Sequence, residues 1–166
     1  MLSYDYCKTP HGTLTLVKSD RGLCFLGLPN ATEEQIAAWA GKHFNGSQLK
    51  HAPGCCRREA LELQQYFSGS RTSFTLALDH HNTPFARQAL AEVSRVPYGQ
   101  TATYGDIAGR IGRPQAARAV GRAVATNPLA IVIPCHRIMG SDGRLTGYGG
   151  GLELKQALLD LESRAA

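Results

Sequence analysis

The stretch IVIPCHRIMG, residues 131–140, sets a cysteine and a histidine directly after a β-branched apolar run and a proline. A cysteine attacks as its thiolate, so it needs a neighbour that lowers its pKa or takes its proton. His136 is the nearest such group to Cys135. Neighbouring residues on extended backbone point to opposite sides, so proton transfer between these two requires a bend or an intervening water. The run 131–133 reads as a buried strand that Pro134 stops and that aims the cysteine. Against this stands the commoner use of a free cysteine, as a small core hydrophobe. A carboxylate that orients the histidine would favour chemistry, by the logic that orders a catalytic triad. Four acids follow: Asp142, Glu153, Asp160 and Glu162. Spacing does not choose among them, although Glu162 lies beside Leu161, at the edge of a helical apolar face.

The elements that must hold this pair read as follows. GTLTLV (12–17) alternates like a strand, SDRG (19–22) turns the chain, and LCFLGL (23–28) returns. TEEQIAAWAGKHF (32–44) is a helix with Thr32 as N-cap, acids in its first turn and Ile36, Trp39, Ala40 and Phe44 near one face. A second helix runs through REALELQQYF (58–67), and TSFTLAL (72–78) alternates like a third strand. The character changes at residues 79–84, which divides the chain into 1–80, an α/β scaffold, and 81–166. Thr83 and Pro84 start a helix whose apolar positions are Ala86, Ala89, Leu90 and Val93. TYGD (103–106) is a capping box that opens a short helix. GRP (112–114) breaks it, and QAARAVGRAVATN (115–127) forms another, so the pair reads as a helix-turn-helix with the second helix as reader. That helix is poor in bulk: Ala117, Gly121 and Ala125 fall on one stripe, while Arg118 and Arg122 stand one turn apart. After GYGGG (147–151), LELKQALLDLE (152–162) is an amphipathic helix with Leu154, Ala157, Leu158 and Leu161 on its core face.

Composition excludes several classes. The chain has 166 residues, 43% of them hydrophobic, enough for a real core and against disorder. No apolar run approaches membrane-spanning length, and the N-terminus does not read as a signal peptide. Five cysteines at irregular spacing do not make a disulfide framework and point to a reducing compartment, the cytoplasm or, in a eukaryote, the nucleus. The formal charge of +5 is concentrated: residues 84–140 hold seven arginines, no lysine and only Glu92 and Asp106. Arginine's planar fork suits phosphates and base edges, and a slender helix with protruding arginines suits a narrow groove. The glycine run lacks the Gly-Lys-Ser/Thr ending of a phosphate loop, and the other cysteines lack paired zinc spacing.

PCHRI (134–138), ARAVG (117–121), NP (127–128) and the pattern GYGGG…K…LL…E over 147–162 together resemble the O6-alkylguanine-DNA alkyltransferases, across roughly half the chain. The resemblance implies a ribonuclease-H-like α/β N-terminal domain, a small β-sheet with helices. It implies a mainly α C-terminal domain with a helix-turn-helix of winged-helix type. It implies irreversible, stoichiometric transfer of an alkyl group from O6-alkylguanine, and from O4-alkylthymine, in duplex DNA to Cys135, with the nucleotide flipped out through the minor groove. In that reading His136 deprotonates Cys135 through a water, Glu162 orients His136, Tyr104 donates to the base ring as guanine leaves, and Asn127 is a hinge between the reader helix and the active-site strand. Arg118 replaces the extruded base. Ala117, Ala119 and Gly121 let the helix come close, and Arg113, Arg122 and Ser141 lie near phosphates. Tyr148, Gly149, Gly150 and Ile138 line the alkylguanine pocket. Arg122 departs from the family, where many relatives keep a small residue.

The expected partner is double-stranded DNA carrying alkylated guanine; the protein is expected as a monomer in solution, away from membranes. No cofactor is implied. Ser19 and Cys24 fall where zinc-binding members carry a cysteine and a histidine, so no metal is expected. Two other readings compete. A non-catalytic lesion binder would lack Cys135, and a cysteine hydrolase would take its histidine from elsewhere in the chain.

Overall fold

The computed structural model describes residues 1–165 and divides into two compact units, Met1–His81 and Asn82–Ala166. In the first, β1 (Leu2–Thr9), β2 (Gly12–Ser19) and β3 (Gly22–Gly27) form an antiparallel meander. A short β4 (Leu49–His51) pairs in parallel with β1, giving the order β3-β2-β1-β4. Neither strand is expected from the sequence, although Leu2, Tyr4 and Tyr6 alternate with Ser3 and Asp5 along β1; β4 is too short to show a period. Between them runs α1 (Glu33–His43), capped reciprocally by Thr32 and Gln35. Its Ile36 and Ala40 pack with Leu2, Val17 and Cys24 of the sheet. α2 (Arg57–Phe67) lies against β1, where the Cys7 Sγ approaches Ala60 O at 3.8 Å.

Residues 72–78 are not a ladder strand. The alternation is real in the side chains: Phe74, Leu76 and Leu78 are half-buried while Thr75 and Ala77 are exposed. The backbone is held differently. Glu62 of α2 accepts from the Thr75 N–H at 2.9 Å and from its hydroxyl at 2.5 Å, which removes Thr75 from any ladder. Only around Leu78 does the segment touch the sheet, with Leu23 N donating to Ala77 O and Asp79 N to Leu23 O, both at 2.9 Å. Gly22 permits this approach, because a Cβ there would collide with the Ala77 carbonyl.

In the second unit α3 (Pro84–Val93) starts at Thr83 and Pro84 and buries Ala89, Leu90 and Val93. α4 (Tyr104–Arg110) opens on the Thr103–Asp106 capping box, as its sequence predicts. It ends in a Schellman turn: Gly112 N donates to Gly109 O, Arg113 N donates to Ala108 O, and Gly112 sits at φ 75°. α5 (Ala117–Ala125) follows and packs on both α3 and α4, burying Val120, Ala123 and Val124. This is the helix-turn-helix. Two short strands, β5 (Ala102–Thr103) and β6 (Ile138–Met139), pair in parallel beside it. α6 (Leu152–Ala165) closes the unit, burying Leu154 and Leu158.

Candidate active site and nucleic-acid interface

The expected strand before Cys135 is absent. Residues 129–134 instead form two tight turns. Ile133 N donates to Leu129 O at 2.8 Å, and Cys135 N donates to Ile133 O at 2.7 Å around Pro134, whose φ −79° and ψ 61° describe an inverse γ-turn. Cys135–Arg137 then makes one turn of 3₁₀ helix. Asn127 accounts for the difference. Its Oδ1 accepts from Leu129 N at 3.0 Å and its Nδ2 donates to Ile133 O at 3.1 Å, so a side chain satisfies backbone groups that a strand would give to a neighbour. Ile131 is held at φ 73°, a conformation that costs a β-branched residue on the order of 1–3 kcal/mol. Asn127 therefore joins α5 to a strained turn rather than to a strand, and its side chain lies near enough to the Cys135 thiol to pull its pKa down.

Cys135 and His136 are buried, 4% and 0% exposed. The structure selects Glu162 among the four acids: its Oε1 lies 2.8 Å from His136 Nε2. Asp142 instead turns to Arg144, and Asp160 accepts from Gln156. Glu162 is also gripped by Arg137, whose Nε and Nη2 donate to it at 2.8–3.2 Å and whose Nη1 donates to Val96 O at 2.7 Å. Arg137 has no assigned role in the sequence reading. Its signal is position, since an arginine inside an otherwise buried run must find an acid. One of the seven arginines of the basic segment is thus internal and adds nothing to a nucleic-acid surface.

The electrostatics follow from this packing. Burial pushes the Cys135 thiol up, only partly opposed by the Asn127 side chain and the charge of Lys155. Burial also pushes His136 down, against the pull of Glu162. The resting pair is therefore a thiol beside a neutral imidazole. Burial would raise Glu162, but the hydrogen bonds from His136 and Arg137 outweigh it and hold the carboxyl at about 2. A carboxylate only accepts, so His136 Nε2 carries the hydrogen and Nδ1 is the basic nitrogen.

The low Glu162 value makes a stability prediction. Its folded pKa of about 2 lies below the ordinary 4.5, so its contribution is complete above pH 4.5 and lost as pH falls toward 2. Glu162→Gln strands Arg137 as a buried cation, which costs about 3–5 kcal/mol when a buried pair is broken. Thermal melts from pH 7 to pH 2 should show the variant well below the parent above pH 4.5, with the gap closing toward pH 2. A gap that stays constant would contradict the pairing.

Around this centre, Tyr104 begins α4 and its hydroxyl lies 2.9 Å from Thr146 Oγ1. Gly121 of α5 faces the Tyr104 ring, and a Cβ there would stand 3.9 Å from it, at ordinary van der Waals contact. Tyr148 is largely buried, its hydroxyl without a hydrogen-bond partner among the described residues; burial, then the nearby Cys135 and Glu162, raises its pKa well above the usual value. Ile138 is fully buried in β6, and its carbonyl accepts from Lys155 Nζ at 2.7 Å. Side chains at Gly147 or Gly149 would meet nothing within 4 Å; Gly150 is half-buried beside them. Arg118, Arg122, Arg113 and Ser141 are exposed, with Ala117, Ala119 and Gly121 partly so. Arg113 stacks over Phe85 at 5.6 Å, and Arg122 lines a groove with Thr83, Phe85, Ala119 and Thr126. Among the described residues no group of three or more His, Cys, Asp or Glu is placed to hold a metal ion, and no helix is long and apolar enough to cross a membrane.

Two family models cover almost the whole chain: the ribonuclease-like domain of 6-O-methylguanine DNA methyltransferase over residues 2–80 and its DNA-binding domain over 84–164. The chain belongs to the 6-O-methylguanine DNA methyltransferase family. An inducible methylated-DNA–protein-cysteine methyltransferase of Bacillus subtilis is 44% identical over 146 residues, 88% of this chain and 82% of that protein. The methylated-DNA–protein-cysteine methyltransferase of Mycolicibacterium paratuberculosis is 41% identical over 99% of this chain and 94% of its own length. Among solved structures, the Mycobacterium tuberculosis O6-methylguanine methyltransferase superposes with a TM-score of 0.87 at 39% identity, covering 100% of this chain and 95% of that one. A complex of the same organism's protein with DNA gives 0.85 at 38% identity, covering 99% and 94%. Membership carries the fold with it: a ribonuclease-like first domain and a DNA-binding second.

Proposed function

We propose that this protein repairs duplex DNA by taking the alkyl group of O6-alkylguanine onto Cys135, once per molecule. The observation that carries the reading is a buried cysteine thiol in the same 3₁₀ turn as a neutral histidine locked on a carboxylate, beside a helix-turn-helix that exposes arginines. In the reaction the sulfur–carbon bond forms as the carbon–O6 bond breaks. The thiol proton passes toward His136 Nδ1, and the departing guanine takes up one proton at its ring. The products are S-alkylcysteine and unmodified guanine. Glu162 stabilises the imidazolium that forms, and Arg137 keeps Glu162 ionised before and after. An alkyl thioether offers no acyl centre for water activated by His136 to attack, so turnover stops at one.

Tyr104 hydrogen-bonds the base ring, so that guanine need not leave with full negative charge. Tyr148, with its buried hydroxyl, and Gly149 and Gly150 face the alkylated base, and the open space at Gly149 accepts groups larger than methyl. Arg118 fills the place of the extruded nucleotide, while Arg113, Arg122 and Ser141 meet the backbone. Minor-groove docking suits a protein that must inspect every sequence, because that groove carries little base information.

The direct test is the intact mass of the protein after mixing with an equal amount of duplex bearing one O6-methylguanine, followed by peptide mapping. The expected result is a gain of one methylene on the Cys135 peptide, stopping at one per molecule. A lesion that is bound but never demethylated would replace this reading with a non-catalytic binder.

A further inference from the structure

Thr146 lies in the loop between β6 and α6 and has no role in the reading above, yet three separate constraints converge on it. Lys155 of α6 is almost wholly buried, 1% exposed, and its ammonium donates to Thr146 O at 3.0 Å and to Ile138 O at 2.7 Å, tying the loop to β6. Gly140 makes room for the threonine methyl, since a Cβ there would stand 3.0 Å from Thr146 Cγ2 and 3.1 Å from Asp142 Oδ1. The hydroxyl, with backbone and methyl so placed, lands 2.9 Å from the hydroxyl of Tyr104.

We propose that Thr146, held by Lys155 and Gly140, is a positioning residue that fixes the direction of the Tyr104 proton during alkyl transfer. The inference rests on the function proposed above. Of two facing hydroxyls only one donates across the pair. When Thr146 donates to the phenol oxygen, the Tyr104 hydrogen is turned away from the loop and available to the leaving base. Without that donor the phenol rotates among several directions, and the hydrogen bond to the leaving group must be found anew in each encounter. Positioning losses of this kind cost roughly ten- to a hundredfold in rate.

The experiment compares the full-length protein with Thr146→Val, which keeps shape and loses the hydroxyl, and Thr146→Ser, which restores it. Single-turnover transfer from duplex O6-methylguanine is followed by intact mass. Alkylation of Cys135 by iodoacetamide is followed in parallel, because iodide leaves without any proton. The expected result is a loss of at least about tenfold in transfer for Thr146→Val, recovery in Thr146→Ser, unchanged duplex affinity, and equal iodoacetamide rates in all three. A collapsed loop would slow both reactions together, and that outcome overturns the positioning role. So does a Thr146→Val protein that transfers at the parental rate. A parent protein that transfers nothing at all overturns the repair function itself, which separates the two failures.

Discussion

Replacing Cys135 with serine should abolish alkyl transfer while leaving duplex binding intact. The exchange changes one atom in a site that is 4% exposed, so packing and the Asn127 contact survive it. What changes is the nucleophile. A serine hydroxyl holds its proton far more tightly than a thiol, and a single neutral histidine does not make up the difference. Loss of the nucleophile in enzymes that use one costs on the order of 10⁶ in rate. The other four cysteines lack the histidine–carboxylate pair beside Cys135: the sulfurs of Cys7, Cys24 and Cys56 face the carbonyls of Ala60, Val17 and Leu16, and that of Cys55 faces Cys56. Intact mass with and without lesion-bearing duplex, beside a binding titration of the same variant, checks both halves. Residual methylation would move the acceptor elsewhere, and lost binding would mean that the substitution had damaged the fold.

Much of this site is legible in residue types, and the part that is not has a common cause. The Thr32 N-cap, the Thr103–Asp106 capping box and the Thr83–Pro84 start are short-range devices, complete within four residues, and the structure keeps them. Cys135 and His136 announce themselves by chemistry. The secondary structure between Asn127 and Arg137 does not, because β-branched residues normally mean strand. The deciding fact is a side chain six residues upstream that occupies the Ile133 carbonyl. The same cause defeats the expected strand at 72–78, where Glu62, thirteen residues away, takes the Thr75 amide. In both places a polar side chain outcompetes a ladder, and periodicity is blind to that. Arg137 and Lys155 escape the sequence reading for a related reason. A charged residue is ordinarily counted to the surface, and only the fold shows these two turned inward onto Glu162 and onto two carbonyls. Spacing alone leaves the four acids equivalent; the family resemblance points to Glu162, and α6 places it against His136.

Arg118→Ala should separate recognition of DNA from chemistry. Arg118 is exposed at the start of α5, one turn from Arg122, while Cys135 lies buried behind the strained turn at Ile131. Among the described residues no hydrogen bond or ion pair joins it to the Cys135–His136–Glu162 array. If Arg118 stabilises the extruded state by filling the vacated stack, its removal leaves the unstacking cost, about a few kcal/mol, without compensation. Repair of O6-methylguanine in duplex should then slow by roughly a hundredfold. Reaction with free O6-alkylguanine base, which has no stack to leave, should change by less than about threefold, because the pocket and the proton path are untouched. Arg122→Ala gives the contrast. If that arginine meets only the backbone, its loss weakens duplex binding across all sequences and flattens its salt dependence by about one unit of slope, with little change in the saturated rate. The measurement is single-turnover mass kinetics on both substrates at saturating and subsaturating duplex. Equal losses on free base and duplex would place Arg118 in the pocket rather than in the stack. A loss confined to subsaturating duplex would make it a second backbone contact like Arg122.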